Sequence, residues 1–277
     1  MKHARVVYQG QTYAATEQDG ALLLASGQRV AFDSVQWLPP LAPTARARSV
    51  IALGLNYADH AKELAFKAPD EPLAFLKSDS ALIGHRCHTV RPAGVQFMHY
   101  ECELAVVIGR AAKNVREEDA YDYIAGYTVA NDYAIRDYLE NWYRPNLRVK
   151  NRPTCTPIGP WLVDAGDIAN PMALALQTTV NGVVTQSGNT RDMIFSVPTL
   201  IAYFSSFMTL NAGDVILTGT PDGVVDCKVG DVVVTSIDSL GALVNTICAS
   251  DAAQLGSEPH AVHHGFSPFS LFSPIGV

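Results

Sequence analysis

The stretch His99–Gly109, "HYECELAVVIG", decides how the chain is read. Leu104 to Ile108 is apolar on both faces of an extended chain, as in a strand buried on both sides. Two glutamates, Glu101 and Glu103, stand at its entrance. Side chains alternate along a strand, so both carboxylates point one way and Cys102 points the other. Two carboxylates about 4 Å apart at an effective dielectric near 20 repel by roughly 4 kcal/mol, so the pair needs protons, water or a cation. Spacing alone leaves two readings open, a solvated strand end and a cation site.

A further β-type run, "GYTVANDY", ends in a third carboxylate, Asp132. Hard oxygen donors with no histidine pair or thiolate pair beside them suit Mg²⁺ or Mn²⁺ better than zinc. The candidate site is Glu101, Glu103 and Asp132, with coordination positions left for a substrate.

Around this strand the chain is rich in short β-type runs. The N-terminal part alternates such runs with turn signals at QG, DG and SG, a meander of about three strands, and ends in the Pro-rich "LPPLAPTARAR". We expect a small N-terminal β subdomain over 1–43, a main domain over 44–250 and a tail over 251–277. "SVIALGLNY", "PLAFLKS", "LALQTTVNGVVTQ", "DVILTGT" and "DVVVTSID" read as further strands. Helical patterns are fewer: "REEDAYDYIA", "IRDYLENWY" and "DMIFSVPTLIAYFSSF", the last interrupted by Pro198. The pattern predicts an α+β architecture, mainly β, over a doubly wound α/β sheet.

Composition excludes several partners. With 277 residues and a formal net charge of −7, the chain has no general attraction to nucleic acid or anionic membranes. No apolar stretch reaches spanning length, and the first residues lack the apolar segment of a secretory signal, so the cytoplasm is the expected location. The five cysteines are scattered without a CxxC pair, which fits reduced thiols.

Three other constellations carry chemistry. In "GLNYADHAKEL", Asp59 or Asn56 can cap a helix on which His60 and Glu63 share a face, either a proton-transfer pair or an ordinary surface pair. "DVILTGTPDGV" ends a strand in Gly219, Thr220 and a PDG turn, either an anion-binding terminus or a plain connection. In "IRDYLENWYRPNLRVKNRP", Arg136, Arg144, Arg148, Lys150 and Arg152 crowd together, to grip an acidic substrate or to pair with Asp137 and Glu140.

Taken together, "LGLNYADHAKE", "FLKSDSALIG", "HYECELAVVIG", "GYTVANDYAIRD", "PIGPWLV", "VNGVVTQSGNTRDMIFSVPTLIAYFS" and "GDVILTGTPDGV", in that order between Ser49 and Ile247, resemble the fumarylacetoacetate hydrolase family. "NDYAIRDYLENWYRPNLRVK" is most similar to the family's isomerase/decarboxylase branch of homoprotocatechuate (4-hydroxyphenylacetate) degradation. The tail has no counterpart there. The resemblance implies a mixed β-sandwich roll, a homodimer, and Mg²⁺ or Mn²⁺ on Glu101, Glu103 and Asp132. It implies His60, Glu63 and Lys150 as catalytic residues and Thr220, Arg136, Arg148 and Lys77 as substrate contacts. The implied activity is decarboxylation and isomerisation of unsaturated 2-oxo or 2-hydroxy di- and tricarboxylates through a metal-bound dienolate. Two other readings remain: hydrolysis of an acylpyruvate C–C bond at the same site, and a non-catalytic binding protein on the same fold. The intact set of acidic residues with His60 and Glu63 argues against the second.

Overall fold

The structure is a computed structural model and describes residues 1–59, 69–139 and 146–250. The strand Cys102–Ile108 has all seven residues buried. It lies antiparallel between Ile124–Asn131 and Val215–Leu217. Beyond Val215–Leu217 come a parallel strand, Val50–Gly54, and an antiparallel edge strand, Leu73–Lys77. On the other side Ile124–Asn131 pairs with Thr156–Asp164, which takes the N-terminal strand Lys2–Tyr8 as its next neighbour. Gln11–Gln18, Ala21–Leu24 and Arg29–Val30 extend the same 12-stranded sheet, and Gln36–Leu38 folds back on Lys2–Tyr8. The N-terminal segment therefore holds five strands where the hydrophobic runs point to about three. The additional two are two and three residues long, too short to show an alternation.

A second, five-stranded sheet runs Val183–Asn189, Ala175–Val180, Val232–Ile237, Gly241–Ala249, His88–Arg91. Its first pair is a hairpin whose turn, Asn181-Gly182, has positive φ at both positions, as a tight two-residue connection requires. The architecture is α+β, mainly β, with both parallel and antiparallel pairs, as expected.

Alternation along Cys102–Ile108 divides the molecule into two apolar clusters. Leu104, Val106 and Ile108 pack with Leu200, Ile201 and Phe204 of the helix Val197–Phe207 and with Leu176 and Ile237 of the second sheet. Ala105 and Val107 face Val50, Ala52, Phe75, Ala130 and Leu217 in a smaller cluster on the inner side. Glu103 shares the phase of Ala105, and Asp132 that of Ala130, so the acidic residues continue the inner cluster while Cys102 joins the outer one. In a flat sheet, four strand spacings would part the Leu73–Lys77 strand from Ile124–Asn131 by about 19 Å. Yet the Lys77 ammonium donates to Asp132. The sheet must curl into a roll, with the acidic residues on its concave face.

The helical expectations fare unevenly. Pro198 opens the Val197–Phe207 helix: it sits in the first turn, where an N–H would have no partner, and Ser196 caps the end by accepting from the Thr199 N–H at 3.3 Å. "REEDAYDYIA" is a 3-10 segment, Glu117–Tyr123. Ile108 already pairs with Ile124, so the chain between must close a loop and cannot extend an α-helix. "IRDYLENWY" begins as one 3-10 turn, Arg136–Tyr138, and residues 140–145 lie outside the described residues. Among the described residues no helix is long and apolar enough to cross a membrane.

Candidate metal centre and active site

The register of two strands assembles the acidic group. Cys102 faces Asn131, Glu103 faces Ala130, and the Asp132 N–H donates to the Glu101 carbonyl at 2.9 Å. Antiparallel pairing thus sets the entrance of one strand against the exit of the other. One oxygen from each of Glu101, Glu103 and Asp132 lies within 4.8 Å of the others, and all three residues are buried. Of the two readings that spacing left open, the solvated strand end does not hold.

Among the described residues, three cations surround the three carboxylates. Lys150, at the end of the single-turn helix Leu147–Lys150, donates to Glu101 Oε2, to Asp132 Oδ2 at 3.0 Å and to the Asp132 carbonyl at 3.0 Å. Lys77 donates to Asp132 Oδ1 and to the Lys150 carbonyl. Arg136 donates from Nη2 to Glu101 Oε1 at 2.8 Å and from Nε to His99 Nδ1 at 3.2 Å. Burial works against the Lys150 charge, but Asp132 and Glu101 outweigh it and hold the ammonium above its ordinary value.

Among the described residues, no such cation pairs with Glu103. The Gly219 N–H donates to its Oε2 at 2.7 Å, whereas its Oε1 is buried without a hydrogen-bond donor among the described residues. Burial, then the nearby Asp132 and Glu101, push its carboxyl well above the usual carboxylate range. A buried carboxylate oxygen without a donor, beside two other carboxylates, is what a hard divalent ion would satisfy. The oxygen-only donor set fits Mg²⁺ or Mn²⁺ and offers no soft ligand: Cys102 points away, and burial raises its thiol.

The remaining expected residues fall at different distances from this centre. Thr220 follows Gly219 and is buried; its Oγ1 accepts from Gln186 Nε2 at 2.9 Å, which leaves the hydroxyl hydrogen to donate elsewhere. Arg148 is exposed and stacks its guanidinium 4.1 Å from the Tyr138 ring centroid, with Arg152 at 5.9 Å from the same ring. His60, Glu63, Glu140 and Arg144 lie outside the described residues. Asn56 has backbone partners from two distant segments. Its amide donates to the Phe195 carbonyl at 3.1 Å and the Thr218 carbonyl at 2.8 Å, and accepts from the Phe195 N–H at 2.8 Å.

Two features escape a sequence reading. One is the engagement of Lys77 with Asp132; its only trace is that Lys77 shares the strand phase of the inward Phe75. The other is the backbone amide of Gly219, which has no side-chain signal. Gly219 sits at φ +88°, and a Cβ there would lie 2.9 Å from Asn56 Cβ. Gly219→Ala should therefore displace the amide from Glu103 and cost about 2 kcal/mol, read as a lower midpoint in thermal or urea unfolding. An unchanged midpoint would show that this loop relaxes freely.

Several known proteins resemble this chain in sequence and fold. The profile of the fumarylacetoacetate (FAA) hydrolase C-terminal family matches residues 49–248. A 4-hydroxyphenylacetate degradation bifunctional isomerase/decarboxylase of Salmonella dublin is 56% identical over 211 residues, 76% of this chain and 49% of that protein. The chain thus spans about half the length of that relative. Among solved structures, a 5-carboxymethyl-2-hydroxymuconate delta-isomerase from Mycobacterium smegmatis superimposes with a TM-score of 0.79 at 36% identity, covering 90% of this chain and 99% of that one. A maleylpyruvate hydrolase from Sphingobium sp. SYK-6, in complex with manganese (II) and pyruvate, gives 0.76 at 26% identity, covering 90% and 99%. With its strand order, its buried acidic group and a profile match over most of its length, the chain belongs to the fumarylacetoacetate hydrolase family.

Proposed function

We propose that the protein is a divalent-metal-dependent decarboxylase and isomerase of unsaturated 2-oxo or 2-hydroxy dicarboxylates in 4-hydroxyphenylacetate breakdown. The observation that carries this reading is the buried oxygen-only triad, with a Glu103 oxygen that has no donor among the described residues. The isomerase and decarboxylase names of the relatives support the reaction class. Glu101, Glu103 and Asp132 would hold Mg²⁺ or Mn²⁺, which supplies a Lewis acid for the carbonyl of a 2-oxo acid.

The chain's own residues do the rest. Lys150 and Lys77 fix the orientation of Glu101 and Asp132; Lys77, expected as a substrate contact, is fully buried and is assigned here to holding Asp132. Thr220 directs its hydroxyl hydrogen to a substrate oxygen, because Gln186 already occupies a lone pair. Arg136, with Arg148 and Arg152 on Tyr138, meets the substrate's carboxylates. When the bond to the departing carboxylate breaks, its electron pair flows into the conjugated 2-oxo acid and CO₂ leaves. His60, made more basic by Glu63, then delivers a proton to carbon. Returning the proton to a different carbon of the same dienolate is isomerisation, so one site serves both reactions. A homodimer working without nucleic acid or membrane belongs to the same proposal.

The competing reading is hydrolysis of an acylpyruvate, as the name of the maleylpyruvate hydrolase suggests. Purified protein should be given a 2-hydroxy-2,4-dienedioate and an acylpyruvate in parallel, with and without chelator, and followed by ultraviolet absorbance. Chelator-sensitive conversion of the dienedioate is expected. Rapid loss of the acylpyruvate with the dienedioate untouched would replace this reading with the hydrolase.

A further inference from the structure

The cations around the triad are not equivalent, and the difference bears on how the centre is loaded. Among the described residues, Glu101, Glu103 and Asp132 face Lys77, Lys150 and Arg136, three cationic side chains for three carboxyl groups. Adding a divalent ion to a buried, balanced cluster leaves excess positive charge, which is unfavourable unless a cation departs or an anion arrives. Lys77 and Lys150 cannot depart. Their side chains are 0% and 4% exposed, and each also donates to a backbone carbonyl. Arg136 can, for it stands on a surface 3-10 turn with its side chain 16% exposed. Its Nη2 occupies Glu101 Oε1 at 2.8 Å, on the carboxylate an incoming ion must share.

We propose, resting on the metal-centre reading above, that Arg136 is an exchangeable counter-ion. It neutralises Glu101 while no carboxylate ligand is present and transfers to the ligand's carboxylate as the ion binds. Guanidinium suits the exchange, because the same planar fork fits either carboxylate. The ion and an organic acid then bind cooperatively: each is held weakly alone and tightly together, by the same factor in either order. Arg136 acts here as a positioning residue for the ion as well as a contact for the acid.

The test is Mn²⁺ binding to the full chain, read from the free-ion electron paramagnetic resonance signal, without and with oxalate. Wild type should bind Mn²⁺ weakly, and oxalate should tighten it about tenfold or more. Arg136→Gln should bind Mn²⁺ alone several-fold tighter than wild type and lose most of the oxalate effect. Arg136→Lys, which keeps the charge but not the fork, should stay weak alone and recover only part of the coupling. Circular dichroism establishes that each variant is folded. A merely structural Arg136 predicts the reverse, so unchanged or weaker Mn²⁺ binding by Arg136→Gln, with the oxalate effect intact, overturns the proposal. No Mn²⁺ binding by wild type under either condition would instead sink the metal-centre reading itself.

Discussion

Glu103→Gln should abolish metal-dependent turnover while leaving the metal-free protein as stable as wild type or more so. Among the described residues no cation pairs with Glu103, and burial with Asp132 and Glu101 raises its carboxyl. A carboxyl raised in the folded state disfavours folding once the pH climbs above the unfolded carboxylate range, so at neutral pH its removal is stabilising. Glutamine is nearly isosteric, and its amide oxygen can keep the Gly219 N–H. What it cannot supply is an anionic ligand. Outer partners of metal ligands alone are worth 10- to 100-fold in affinity, so loss of a ligand should cost at least about a hundredfold. Turnover should fall by about a thousandfold, the equivalent of several kcal/mol of Lewis-acid stabilisation. The measurement is paired: thermal midpoints with and without Mg²⁺, and turnover. Wild type should gain stability from the ion by mass action and the variant should not. An equal Mg²⁺-induced rise in the variant would remove Glu103 from the metal site.

The legibility of this site in the sequence follows from how each residue reaches it. Glu101, Glu103 and Asp132 could be read because each lies at the end of a strand whose apolar run announces itself, and alternation assigns the face. That Glu101 meets Asp132 depends on antiparallel register, which period-two patterning does not specify for strands joined by a long connection. The mainly-β class was legible for the same reason as the strands. The curl was not, because it is a property of the whole sheet; only the contact between Lys77 and Asp132 reveals it. The partners of Asn56 were not legible, because they come from chain segments far away in sequence: Phe195 and Thr218 offer its side chain three backbone groups. Arg136 and Arg148 look alike in the basic stretch, yet one pairs with Glu101 and the other stacks on Tyr138 at the surface. The 3-10 turn at Arg136–Tyr138 and the single-turn helix carrying Arg148 orient them differently, and neither short element has a sequence period to reveal it.

Lys77→Met should be the most destabilising of these substitutions, by about 3–5 kcal/mol, the usual cost of breaking a buried ion pair from one side. Methionine approximates the volume of the lysine stem, so packing against the inner cluster survives and the loss reports on the ammonium. Asp132 Oδ1 and the Lys150 carbonyl would each lose a donor inside the roll. In a chain of this size that corresponds to a thermal midpoint lower by about 10 °C. Leu76→Ser on the same edge strand is the control. Leu76 is 62% exposed, so its replacement should change stability by no more than about 0.5 kcal/mol. Matching losses in the two variants would mean that the edge strand is simply fragile and that the tether to Asp132 contributes nothing special. The ion gives a second, opposite sign. Without Lys77 the cluster carries one more uncompensated negative charge, so Mg²⁺ or Mn²⁺ should raise the midpoint of Lys77→Met by more than it raises wild type. A variant that is destabilised but gains no more from the ion than wild type would place Lys77 in the scaffold of the roll and outside the electrostatics of the metal centre.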